Sequence, residues 1–127
     1  MPHYRISEAA SLLGVSDDTM RRWVDAGRIS ATKDQQGRRV VDGVDLATLA
    51  QELAGQPEHP ENTSARNQFR GLVTSVKSDP VMSQVELQCG PFRVVALIST
   101  EAVQDLGLVP GAVTTARVKA TNVFLGA

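Results

Sequence analysis

A single cysteine, Cys89, stands among the 127 residues, which excludes an intramolecular disulfide framework and any cysteine-rich zinc site. Long hydrophobic runs are missing as well. The longest aliphatic stretch, Val94-Val95-Ala96-Leu97-Ile98, falls far short of the ~20 residues that cross a bilayer. The opening residues MPHYRISEAA lack the cationic and then apolar order of a secretory signal, so a cytoplasmic chain without a membrane segment is expected. Neither sign of charge dominates: 13 Lys and Arg against 14 Asp and Glu give a net charge of -1, and no global attraction to a polyanion follows. Catalytic constellations are also lacking. His3 and His59 have no thiol or carboxylate arranged beside them for metal ligation, and no glycine-rich phosphate loop occurs. We expect no enzyme activity, no bound metal cation and no organic cofactor.

What remains is an ordinary globular composition, 42% hydrophobic and 21% charged, with one strong interruption. From Gly55 to Thr63 the chain runs GQPEHPENT, with two prolines, two acids and no aliphatic residue, a composition that cannot bury a face or continue a helix. Apolar residues follow helical spacing before this stretch and alternate after it. Two domains are therefore expected, over residues 1–54 and 64–127, joined by a linker over 55–63. A unit of about 60 residues buries only about 60% of its unfolded surface, so two such units imply an oligomer.

The first module reads as short helices with tight stops. Ser7 is positioned to cap a helix carrying Ala9, Ala10, Leu12 and Leu13 that ends at Gly14, and Ser16 to cap a second that ends at Gly27. Segments Ile29–Thr32 and Arg38–Val41 flank KDQQG as a small hairpin, and Asp45 opens an amphipathic helix with Leu46, Leu49 and Leu53 inward. That order is a winged helix-turn-helix. Although residues 1–54 hold seven cations and eight acids, the span Arg21–Arg39 holds six cations and two acids, placing positive charge on the second helix and the hairpin. Those are the two elements that such a fold offers to a DNA groove and its phosphates.

Residues Tyr4–Ala10, Leu13–Ser16, Thr19–Ile29 and Gly37-Arg38-Arg39 resemble the MerR/excisionase-type DNA-binding domain over roughly residues 3–54. The resemblance implies contact with double-stranded DNA through Thr19, Arg21, Arg22, Arg38 and Arg39, and assigns Trp23 to packing. The long dimerising helix of that family is not present before the linker, so association has to come from elsewhere.

From Gln68 onward the pattern is β. Strands are expected over Phe69–Val76, Val81–Cys89, Phe92–Ile98, Val113–Ala120 and Asn122–Leu125, with a short helix between Ser99 and Gly107, as in a small OB-like barrel. Phe69, Phe92 and Phe124 are assigned to the core, which leaves no aromatic platform for single-stranded nucleic acid. Cys89 is assigned to a buried structural position. The segments Ser64-Ala65-Arg66-Asn67 and Lys119-Ala120-Thr121-Asn122 each combine a cation, a hydroxyl and an amide without a carboxylate, a donor set suited to a dianion. Together with Ala96–Val103 and Leu106–Gly111 they resemble the Mop (molbindin, TOBE) domain, in order and without a gap over residues 64–127. That resemblance implies a molybdate or tungstate ligand bound at subunit interfaces of a homo-oligomer, a hexamer above all, through Ser64, Ala65, Arg66, Lys119, Ala120 and Thr121. It also places Val95 where that family often has threonine. The combined expectation is a fusion of an α-rich winged helix and a β-rich OB-like Mop barrel, acting as a molybdate- or tungstate-binding transcriptional regulator. The alternative is an intracellular oxyanion store.

Overall fold

A computed structural model describes residues 2–54 and 63–127 of a chain that divides into two compact units, Met1–Pro57 and Glu58–Ala127. The residues 55–62 of the expected linker lie outside the described residues. No helix among the described residues is long and apolar enough to cross a membrane.

The first unit runs β1 (His3–Arg5), α1 (Ile6–Leu13), α2 (Asp17–Asp25), β2 (Ala31–Lys33), β3 (Arg39–Asp42) and α3 (Gly43–Ala54). Gly14 at φ 70° closes α1 in the left-handed conformation that glycine adopts without penalty, and Ser16 caps α2 by accepting from the Thr19 N–H at 3.1 Å. The expected cap at Ser7 is wrong. Helix α1 starts earlier, and the Glu8 carboxylate accepts from the Arg5 N–H at 3.3 Å, doing from the third helical position what a capping hydroxyl would do. Likewise α3 opens before Asp45, because the Asp42 carboxylate accepts from the Val44 N–H at 3.0 Å. The expected hairpin is present, and β1 joins it to give a sheet ordered β1-β3-β2. Ile6, Ala9, Ala10, Met20, Ile29, Val41, Leu46 and Leu49 form the core, with Trp23 packed against its edge and Leu53 more exposed than the pattern implied.

The second unit runs β4 (Asn67–Ser78), β5 (Met82–Cys89), β6 (Phe92–Ser99), α4 (Thr100–Leu106) and β7 (Val113–Val118), followed by a 3-10 turn over Ala120–Asn122. Its antiparallel sheet is ordered β6-β5-β4-β7, a curled half-barrel with one helix. On the inner face Val73, Val85, Leu87 and Cys89 pack with Val103 and Leu108. Ser83 is buried among them at 1% exposure, satisfied by hydroxyl contacts with Ser78 at 2.7 Å and Thr100 at 2.8 Å. Gly71 is required by close packing: a Cβ there would stand 2.5 Å from the Cys89 Sγ and 2.8 Å from the Gln88 carbonyl oxygen.

Two expectations fail here. No strand forms over Asn122–Leu125, and Phe69, Phe92 and Phe124 are not core but 41%, 67% and 92% exposed. Alternation produces a strand only where another strand offers hydrogen bonds, and a single chain leaves β6 and β7 as edges with nothing beside them.

Candidate functional site

In the first unit the pairing of β1 with β3 sets Arg5 beside the wing, and the tight turn at Gly14 sets α2 across from it. Arg5, Ser7, Arg21, Lys33, Arg38 and Arg39 consequently line one open groove of about 510 Å³. Three of the five DNA-contact residues expected from the sequence, Arg21, Arg38 and Arg39, meet in it. The other two do not line it. Thr19 is engaged at the cap of α2, sharing a hydroxyl contact of 2.9 Å with Ser16, and Arg22 donates to the Thr19 hydroxyl at 3.2 Å. Lys33, one of the six cations that the sequence assigned to the second helix and hairpin, lines the groove too, whereas Arg5 is an addition that the sequence did not reveal, because only the pairing of β1 with β3 brings it there.

The groove arginines are aimed by carboxylates. Arg21 pairs with Asp18 at 3.0 Å, Arg38 with Asp34 at 3.1 Å, Arg39 with Asp25 at 3.1 Å and Arg5 with Glu8 at 3.1 Å. The Asp25–Arg39 pair joins the end of α2 to the base of the wing. Asp34 also shapes the wing tip, accepting from the Gln36 and Arg38 N–H groups at 2.9 Å each. Its carboxyl is held below the ordinary 3.8, first by the Arg38 backbone N–H. Glu8 is held below 4.5, chiefly by the Arg5 side chain. Arg28 lies 5.1 Å over the Trp23 ring.

In the second unit β4 and β7 pair in the register Asn67↔Val118, and the Asn67 side-chain amide donates to the Val118 carbonyl at 3.1 Å. This places the Ser64–Arg66 segment, which leads into β4, beside the Lys119–Thr121 segment, which leaves β7. Ser64, Arg66, Lys119, Ala120 and Thr121 are exposed in the single chain. Ala65 is buried, and its N–H donates to the Thr63 hydroxyl at 3.1 Å. Val95 stands on β6, the opposite edge of the sheet from β7, so within one chain it has no part in this pair of segments.

Residues 63–125 match the family model described as TOBE domain, and residues 4–54 the one described as helix-turn-helix domain. Molybdenum-pterin-binding protein 3 of Clostridium pasteurianum is 40% identical over 63 residues, 49% of this chain and 93% of that protein. The chain belongs to the TOBE-domain family. A helix-turn-helix domain precedes its TOBE unit. Molybdenum-pterin-binding protein 2 of the same organism is also 40% identical over 63 residues, again 49% of this chain and 93% of the relative. Among solved structures, a molybdate binding protein from Sporomusa ovata is 33% identical with a TM-score of 0.50, covering 52% of this chain and 98% of its own. The half-barrel TOBE unit is thus a known fold carried beside a domain of a different kind.

Proposed function

We propose that the chain is a one-component regulator in which the helix-turn-helix unit binds double-stranded DNA and the TOBE unit binds molybdate or tungstate and assembles copies of the chain. The observation that carries this reading is the Asn67↔Val118 register, which sets the two donor segments side by side in a protein whose other unit gathers five cations into one groove. Arg66 and Lys119 supply charge, Ser64 and Thr121 supply hydroxyl donors, Ala120 supplies a backbone N–H group, and the Ala65 N–H joins them only by giving up its bond to the Thr63 hydroxyl. Molybdate and tungstate are dianions that only accept hydrogen bonds at neutral pH, whereas phosphate is largely monoprotonated and brings a donor toward donors. The site therefore disfavours phosphate.

Assembly follows from the same sheet. The open edges β6 and β7, and the individually exposed Phe92, Leu97, Val113, Phe124 and Leu125, are features that contact between chains would cover. A hexamer with the oxyanion at subunit interfaces is the arrangement we expect, and such an interface would bring a second chain's Val95 edge to the site. Exposure of the phenylalanines removes the argument that this unit lacks aromatic platforms. Their company of Val and Leu nevertheless favours chain contact over base stacking.

Titration calorimetry with molybdate, tungstate, sulfate and phosphate, alongside the mass in solution and gel shifts on promoter DNA, tests the reading. Saturable binding of molybdate or tungstate by an oligomer that shifts DNA is the expected result, and failure to bind either anion overturns it. Anion binding without any shift would leave the oxyanion store as the better description.

A further inference from the structure

On the β4–β7 ladder, Gln68 stands opposite Arg117 and Arg70 opposite Thr115. Side chains of a strand alternate between faces, so these four residues share one face. It is the face opposite Val73 and Ala116, which belong to the core. Directly opposed side chains start about 5 Å apart and diagonal ones about 7–8 Å apart, so Arg70 and Arg117 can converge on a common point above Gln68 and Thr115. Among the described residues the ion pairs use Arg5, Arg21, Arg38, Arg39 and Arg93, and none uses Arg70 or Arg117. The next positions on this face, Leu72, Val113 and Gln88, add no carboxylate. The Gln68 Nε2 is buried and has no acceptor among the described residues.

Two like charges carried by neighbouring positions of one sheet face and a buried donor without an acceptor are both unfavourable, and one ligand relieves both. We propose that Gln68, Arg70, Thr115 and Arg117 form a second anion site on the TOBE unit, taking a tetrahedral oxyanion or the phosphoryl group of a phosphate monoester. Both guanidinium groups present N–H donors, the Thr115 hydroxyl turns to donate, and the buried Gln68 Nε2 joins them once the side chains that cover it move to the ligand, so the site offers charge and donors to an acceptor-only group. None of its four residues belongs to the Ser64–Thr121 set, and the proposal holds or fails apart from it.

Equilibrium dialysis of the full chain against molybdate, inorganic phosphate and glycerol 3-phosphate tests the site on an Arg66→Ala background, which removes the guanidinium of the other set. The Arg66→Ala chain should retain saturable binding of about one anion per chain. Adding Arg70→Gln and Arg117→Gln should weaken that binding about tenfold or more. Gln68→Glu, which supplies a carboxylate to the two arginines from within, should weaken it likewise while leaving the melting temperature undiminished. Tighter binding of the monoester than of molybdate assigns the phosphoryl group, and the reverse assigns the free oxyanion. An Arg66→Ala chain that binds nothing, or one whose binding survives the paired substitution, overturns the proposal. So does a paired substitution that changes the mass in solution and leaves the anion count alone, since the acceptor for Gln68 would then belong to a second copy. Equal binding by wild type and Arg66→Ala chains would count against the Ser64–Thr121 set instead.

Discussion

In the helix-turn-helix unit Arg5, Arg21, Arg38 and Arg39 are each tied to a carboxylate of the same unit, whereas Arg66, Arg70, Arg117 and Lys119 of the TOBE unit have no such partner among the described residues. Exposed ion pairs contribute little stability, so the first arrangement aims side chains more than it holds the unit together. A phosphate that replaces a carboxylate meets a guanidinium already extended toward it, but the displaced acid stays nearby and offsets part of the attraction. The second arrangement leaves positive charge without local compensation, so a small dianion gains the full interaction. One chain thus carries a screened surface fit for a polyanion with many contacts and an unscreened surface fit for an anion with few.

The largest expected effect breaks the unscreened side. Arg66→Ala and Lys119→Ala should each cost ~1.5–3 kcal/mol of molybdate or tungstate binding, read by calorimetry, because each removes a charged hydrogen-bond donor. Wild-type affinity in both variants would show that the two segments are not the site. Next, Gly71→Ala should lower the stability of the TOBE unit by about 1–3 kcal/mol in denaturant titrations, since the added methyl meets the Cys89 Sγ and the Gln88 backbone. On the screened side, Arg21→Ala should cost ~1–3 kcal/mol of DNA binding and relax discrimination between operator and random duplex. Arg38→Ala and Arg39→Ala should instead weaken all sequences and lower the salt slope by about one each. A smaller change sharpens the contrast. Asp18→Asn should tighten DNA binding by no more than about fivefold and chiefly at low salt, because it frees Arg21 from an exposed partner. A loss of affinity in that variant would show that the acid's aiming role outweighs its screening.

Acid provides the mildest test. Glu8 and Asp34 are held below their ordinary 4.5 and 3.8, so their contribution is present above those values and is lost as pH falls through the lower native ones. Melting temperatures of the isolated helix-turn-helix unit measured from about pH 6 down to about pH 3 should fall, and Asp34→Asn should flatten part of that fall.

Where a residue acts through its own neighbours in sequence, the reading from sequence holds. Ser16 and Ser99 cap the helices they precede, Gly14 and Gly107 close helices in the left-handed conformation, and Ser83, Val85, Leu87 and Cys89 turn inward as their alternation implies. Where the outcome depends on a distant strand, it does not. Strand β1 has three residues and no periodicity to betray it, and with it the placement of Arg5 beside the wing was hidden. The segment Asn122–Leu125 alternates convincingly yet finds no partner strand. The pairing of Gln68 with Arg117 depends on a register set by Asn67 and Val118, which no local pattern encodes.

The slot at Gly71 also bears on oxidation chemistry. Cys89 is 7% exposed, its Sγ lies 3.8 Å from the Phe69 carbonyl, and the space a side chain at 71 would have filled is the space the sulfur occupies. Oxidation to a sulfenic or sulfinic acid adds oxygen atoms to that sulfur and requires an oxidant to reach it. A thiol only 7% exposed and seated against the Gly71 backbone is shielded from an oxidant on that side. Its burial accordingly predicts slow modification of Cys89 by peroxide in the folded chain, which mass spectrometry of the treated protein checks.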